Sequence, residues 1–204
     1  MRVILAEKPS VAQSIAAVLG ADQKKNGYLQ GENDLVSWCI GHLIELAPPE
    51  IYDARYAKWR REDLPIVPSA WESVVSDGTK KQFAVLKDLL NRTDVDEVVC
   101  ATDAGREGEL IFRMVYEKTG CTKPVKRLWI SSLEESAIRE GFRSLKPGTA
   151  YDALYRAALC RAQADWLVGI NGTRLYSRLY GTKLNVGRVM TPTLAMLVQR
   201  EQEI

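Results

Sequence analysis

Twice along the chain a short apolar run breaks at a polar turn and gives way to apolar residues at helical spacing. Residues 2–7, RVILAE, have the unbroken apolar character of a strand buried on both faces of a parallel sheet. The following KPSVAQSIAAVLG places Pro9 at a helix start and Gly20 where a C-cap belongs. The order repeats with DEVVCAT (96–102) as strand, DAGREG (103–108) as turn and ELIFRMVYEKTG (109–120) as a helix closed by Gly120. Two such units predict an α/β sheet.

Between them, YLQ (28–30) and DLVSWCIGHL (34–43) read as strands, whereas 47–71, marked by four prolines, reads as an irregular surface excursion. TKKQFAVLKDLL (79–90) opens with a capping-box pattern, Thr79 with Gln82. VKRLWIS (125–131) predicts a further strand and SLEESAIREGF (132–142) a helix announced by a second capping box, Ser132 with Glu135. LKPGTA (145–150) is the natural break, and 151–179 and 191–204 are helical in pattern around the loop YGTKLNVGR. This divides the chain into an α/β domain, 1–148, and a helical domain, 149–204.

Composition adds limits. The 204 residues, 46% hydrophobic and 26% charged, are those of a globular chain with a core. No stretch approaches eighteen uninterrupted apolar residues, and Glu7 and Lys8 interrupt the start too early for a signal peptide, so a membrane protein is not expected and a cytoplasmic one is. Four dispersed cysteines and one histidine support neither zinc-ligand spacing nor a disulfide framework, and the cysteines read as reduced core thiols. Net charge is +2, but Arg156, Arg161, Arg174, Arg178, Lys183 and Arg188 face a single acid, Asp165, between 156 and 188. That local excess suits a polyanion as well as it suits a solvated helix face.

The chemistry concentrates at the second turn, where Asp103, Glu107 and Glu109 fall within seven residues. Ligands of open parallel sheets gather outside the carboxyl ends of the strands, and both Glu7 and Asp103 fall at such ends. If the two strands are neighbours, Glu7 faces Asp103 and Glu107 across a small crevice. Three close carboxylates raise one another's pKa or demand a cation, and an all-oxygen set suits Mg²⁺, which takes one or two carboxylates plus substrate phosphate. Lys8 adds a cation for a phosphate oxygen beside an acid able to exchange a proton, as phosphoryl transfer requires. Arg106 reads as a partner for those carboxylates or for a phosphate. Glu109 reads as an acid favoured by the helix dipole, His42 as hydrogen-bonded structure, and Trp166 as the tryptophan to test for base stacking.

The motifs AEKPSVAQSIAAVLG, ATDAGREGELIFR, RAQADWLVGINGTRLYS and LNVGRVMTPTLAMLV resemble, in this order, those of type IA DNA topoisomerases of the topoisomerase III branch. The resemblance implies a Toprim fold, a Rossmann-like, mostly parallel sheet flanked by helices. An incomplete α-helical domain for single-stranded DNA would follow. It implies that Glu7 and Lys8 are catalytic, that Glu7, Asp103 and Glu107 hold Mg²⁺, and that Arg106, Arg127, Arg161, Asp165 and Arg188 contact DNA. The family's tyrosine nucleophile lies in C-terminal domains, so an N-terminal piece is expected to be inactive alone and to act, in the full-length parent, at the nucleoid.

Two departures matter. Gly105 stands where the family often has a second aspartate, which leaves a set sized for one ion, and Met190 stands where a glutamine is common. The competing readings are a Toprim nuclease or primase, which should lack the QADWLVGINGTR and NVGRVMTPT segments, and a non-catalytic nucleic-acid-binding module, for which the acidic cluster is incidental.

Overall fold

The computed structural model describes residues 1–204. In chain order it forms β1 (Arg2–Ala6), α1 (Pro9–Leu19), β2 (Gln23–Lys25), β3 (Tyr28–Gln30), β4 (Asp34–Trp38) and β5 (Ile44–Leu46). There follow α2 (Pro49–Tyr52), β6 (Ser73–Val75), α3 (Lys80–Leu90), β7 (Glu97–Ala101) and α4 (Arg106–Thr119). The last elements are β8 (Val125–Arg127), α5 (Glu135–Arg143), β9 (Lys146–Pro147), α6 (Asp152–Tyr180) and α7 (Met190–Gln202). The chain divides into two compact units, 1–45 with 74–159, and 46–73 with 160–204. The division therefore falls inside α6, and the proline-marked excursion groups with the late helices instead of with the sheet that flanks it in sequence.

In the first unit seven strands run in the order β2-β3-β4-β1-β7-β8-β9. β1 pairs in parallel with β4 on one side and β7 on the other, and β7 in parallel with β8. β2, β3 and β9 join antiparallel at the two edges. The central position of β1 explains its sequence: Val3, Ile4, Leu5 and Ala6 are fully buried, because helices cover both faces of a parallel sheet. Burial of a side chain such as Ile4 or Leu5 contributes about 1.5–3 kcal/mol. The register with β4 is pinned at its first pair, where Arg2 Nε donates to Asp34 Oδ1 at 2.8 Å.

Helix ends follow the glycines. Gly20 and Gly120 adopt left-handed conformations, φ 71° and 72°, and their N–H groups return to the last turns of α1 and α4. Both predicted capping boxes fail. The Thr79 hydroxyl donates to the carbonyls of Leu43 and Ser76 instead of capping α3. Ser132 Oγ accepts from the Glu134 amide, and α5 starts at Glu135, two residues later than a helix capped by Ser132 would. The strand predicted over 125–131 stops at Arg127. No helix is long and apolar enough to cross a membrane.

In the second unit the excursion is ordered by polar anchors on α6. Trp166 donates its indole N–H to the Ala47 carbonyl at 3.0 Å and meets Tyr52 and Trp71 edge-on at 5.9 and 5.4 Å. Asn171 brackets Ile66 through both its amide and its carbonyl, and Arg174 donates to the Tyr56 carbonyl at 2.7 Å. Trp166 is thus half-buried and held by its packing partners.

Candidate functional site

The site lies in the first unit, at the carboxyl ends of β1 and β7. Because Ala6 is in register with Ala101, the residues that leave these strands, Glu7 and Lys8 on one side and Thr102 and Asp103 on the other, emerge side by side. The Asp103 amide donates to Glu7 Oε2 at 3.1 Å, and Lys8 Nζ stands 3.6 Å from Asp103 Oδ2. Burial raises the Glu7 carboxyl pKa above its ordinary value; the charge of Asp103 adds to the rise, while the Asp103 amide and Lys8 oppose it. The sequence expectation that these two strand ends meet therefore holds.

Glu107 does not join them directly. It sits in the first turn of α4 and its Oε1 is 2.7 Å from His42 Nε2, both side chains being exposed. No three of the chain's His, Cys, Asp and Glu side chains converge as a ready-made cage. His42 follows β4, the other neighbour of β1, so its approach to the acidic turn comes from sheet order, which a sequence position after an apolar run does not disclose. A crevice of about 340 Å³ opens beside Asp103, lined also by Val11, Ala104, Ser131 and Ser132.

Arg127 is corrected outright. Its side chain is fully buried, and its donors are spent on Glu109 and on four backbone carbonyls, so it has no surface to offer DNA. Glu109, read as a helix-start acid, is equally buried and accepts from both Arg127 and Arg113 at 3.0 Å. Arg106 is exposed, in the same first turn of α4 as Glu107. The thiols also divide: Cys39, Cys100 and Cys121 are buried, with the Cys100 pKa pushed up to about 11 by burial, but Cys160 is exposed.

In the second unit, Arg188 Nε donates to Asp165 Oδ1 at 2.6 Å and Arg161 Nε lies 3.7 Å from Asp165 Oδ2. Three of the residues expected at a DNA strand thus form one exposed cluster. The Arg188 hydrogen bond holds the Asp165 carboxyl below its usual range.

The donor chemistry of the first site fits a hard divalent cation. Glu7 and Asp103 supply oxygen from adjoining strand ends, Asp103 is more than half exposed, and Mg²⁺ needs only one or two carboxylates when water and phosphate complete its shell.

A mostly parallel sheet with acidic residues at the ends of two adjoining central strands defines a Toprim domain, and the chain belongs to the Toprim domain family, whose pattern matches residues 2–133. Residues 149–204 match the DNA topoisomerase family. The chain is 52% identical over 202 residues to DNA topoisomerase 3 of Bacillus thuringiensis strain Al Hakam and 54% identical over 203 residues to that of Shouchella clausii strain KSM-K16. These alignments cover 99% and 100% of this chain but 28% of each relative, so the chain spans just over a quarter of their length. Full-length topoisomerase I from Thermotoga maritima superposes with a TM-score of 0.68 at 26% identity, over 99% of this chain and 30% of that one. The Toprim family implies a divalent metal.

Proposed function

We propose that the chain supplies the acidic, metal-binding half of a site at which a type IA topoisomerase transiently cuts one DNA strand, passes another through the gap and reseals it. The observation that carries this reading is the contact between Glu7 and the Asp103 amide beside Lys8, which puts a proton-exchanging acid and a phosphate-holding cation at one opening. Glu7, with its pKa raised by burial, gives a proton to the departing 3′ oxygen and takes it back on resealing. Lys8 turns from Asp103 to a phosphate oxygen, for which it carries three donors.

Asp103 and Glu7, with Glu107 from the first turn of α4, would hold Mg²⁺. The ion's chemical contribution is charge neutralisation at the phosphate. Arg106 on the first unit, and Arg161, Asp165 and Arg188 on the second, contact the single strand. The tyrosine nucleophile belongs to the part of the relatives that this chain does not span, and the parent works in the cytoplasm at the nucleoid.

Calorimetric titration of the chain with Mn²⁺ as a Mg²⁺ probe tests the reading, against Asp103→Asn and Glu7→Gln. Saturable one-ion binding that both substitutions weaken is expected. Equal binding by all three proteins refutes the assignment. Incubation with single-stranded DNA and Mg²⁺ should give no covalent adduct, and an adduct would show a nucleophile within residues 1–204.

A further inference from the structure

We propose that Arg127 and Glu109 are positioning residues that hold the Asp103 loop in place for the metal. The proposal rests on the metal reading above for its functional consequence, but its geometry stands apart from it. The Arg127 guanidinium receives no water, since its side chain is 0% exposed and that of Glu109 1% exposed. Its Nη1 donates to the carbonyls of Cys100, Thr102 and Leu128 at 3.1, 2.8 and 2.7 Å, and its Nη2 to the Asp103 carbonyl at 2.7 Å. Three of these four acceptors are the last turns of backbone before the Asp103 side chain. The other face of the guanidinium lies 5.0 Å from the Trp129 ring.

A planar fork can reach several carbonyls at once, and a lysine ammonium, with three donors on a point charge, cannot reproduce that span. The charge must nonetheless be compensated, because an isolated buried guanidinium is costly. Glu109 does so: Oε2 accepts from Arg127 and Oε1 from Arg113, which continues to Asp152 and the Gly148 carbonyl. Two acids and two arginines leave the network neutral. A buried ion pair is by itself weak grounds for a stability role. Its donors here converge on the one loop that carries Asp103, which assigns it to geometry.

The same Asp103 carbonyl also lies close against Gly108, where an added Cβ would come within 2.2 Å. Arg127 and the bare Gly108 backbone thus fix the loop between them, and the Asp103 amide is left aimed at Glu7.

Arg127→Lys keeps the charge and removes the fork, and is compared with Leu90→Ala, which opens a cavity beside the C-terminal end of α4, at the opposite end of that helix from the loop. Two quantities are read on the intact chain: Mn²⁺ affinity, and hydrogen exchange of the Asp103 amide. Arg127→Lys should weaken Mn²⁺ binding about 10- to 100-fold, the range typical when a group supporting a metal ligand is lost, and should speed Asp103 exchange while β1 and β7 amides stay protected. Leu90→Ala should lower the unfolding temperature and leave both quantities unchanged. The proposal is overturned if Arg127→Lys matches the parent in both, or if Leu90→Ala changes both as much. If Asp103 exchange rises in Arg127→Lys while the unsubstituted chain binds no Mn²⁺, positioning is supported and the metal reading fails.

Discussion

Replacing Gly108 with alanine adds a single methyl group against the turn that carries Asp103. The new Cβ would stand 2.2 Å from the Asp103 carbonyl oxygen, 2.9 Å from its nitrogen and 3.0 Å from its carbonyl carbon. A carbon–oxygen contact is comfortable at about 3.3 Å or more, so the carbonyl must retreat by about 1 Å. All three colliding atoms are backbone, which cannot swing aside as a side chain would. Overpacking of this kind costs about 1–3 kcal/mol, and alanine regains about 1 kcal/mol over glycine inside a helix. The net loss is therefore about 0–2 kcal/mol, which lowers the unfolding temperature by only a few degrees at about 2–4 °C per kcal/mol.

The site should suffer more than the fold, because a displacement of about 1 Å disrupts the 2.7 Å bond from Arg127 to the Asp103 carbonyl, whose geometry tolerates far less, and disturbs the Asp103 amide that donates to Glu7. Mn²⁺ affinity, measured by calorimetry alongside a thermal melt, should fall at least tenfold. Gly105→Ala is the control, since a Cβ there meets nothing within 4 Å and its φ of −179° is open to any residue. A Gly108→Ala chain that binds Mn²⁺ as the parent does would refute the claim that close approach at Gly108 sets the acidic turn.

Gly105→Asp should tighten Mn²⁺ binding in the same titration, because it places a carboxylate in open space between Asp103 and Glu107 and adds a favoured N-cap to α4. Ile4→Ala, at a fully buried position of the central strand, should cost about 2–5 kcal/mol in denaturant unfolding. For Glu7 the raised pKa fixes a sign: protonation favours the folded state, so its contribution is fully present below the ordinary glutamate range and is lost as pH rises through the raised value. Glu7→Gln should therefore match the parent's stability in acid and equal or exceed it at neutral pH, as read from melts across that interval. His42→Ala should free Glu107 from its 2.7 Å contact and lower the unfolding temperature by no more than about 4 °C, since exposed pairs contribute about 0–1 kcal/mol.

The sheet and the main acidic pair were legible because they rest on local pattern. Unbroken apolar runs marked β1 and β7 as central strands, Gly20 and Gly120 marked helix ends, and the shared strand–turn–helix order brought Glu7 to Asp103. The features that escaped depend on tertiary partners. His42 reaches Glu107 only because β4 lies on the other side of β1. Thr79 and Ser132 have capping-box spacing, yet both hydroxyls are taken by nearer backbone groups, which local side-chain bonding allows wherever the backbone turns. The excursion at 47–71 looked like surface because its prolines forbid a long helix. Its order comes from Trp166, Asn171 and Arg174, about a hundred residues later.

The acidic turn itself shows why charge in a sequence does not announce its own role. Glu107 and Glu109 are two residues apart at the start of α4, and side chains at that spacing on a helix point to nearly opposite sides. One must therefore face water if the other faces the sheet, and Glu109 is the buried one. A carboxylate there is tolerable only with cations beside it: Arg113 comes from the same helix, and Arg127, the last residue of β8, arrives from the neighbour of β7. The fork that neutralises Glu109 has donors left over, and the nearest acceptors are the carbonyls of the turn that ends in Asp103. The inward acid of the motif thereby fixes the backbone that presents Asp103 to solvent beside Glu7.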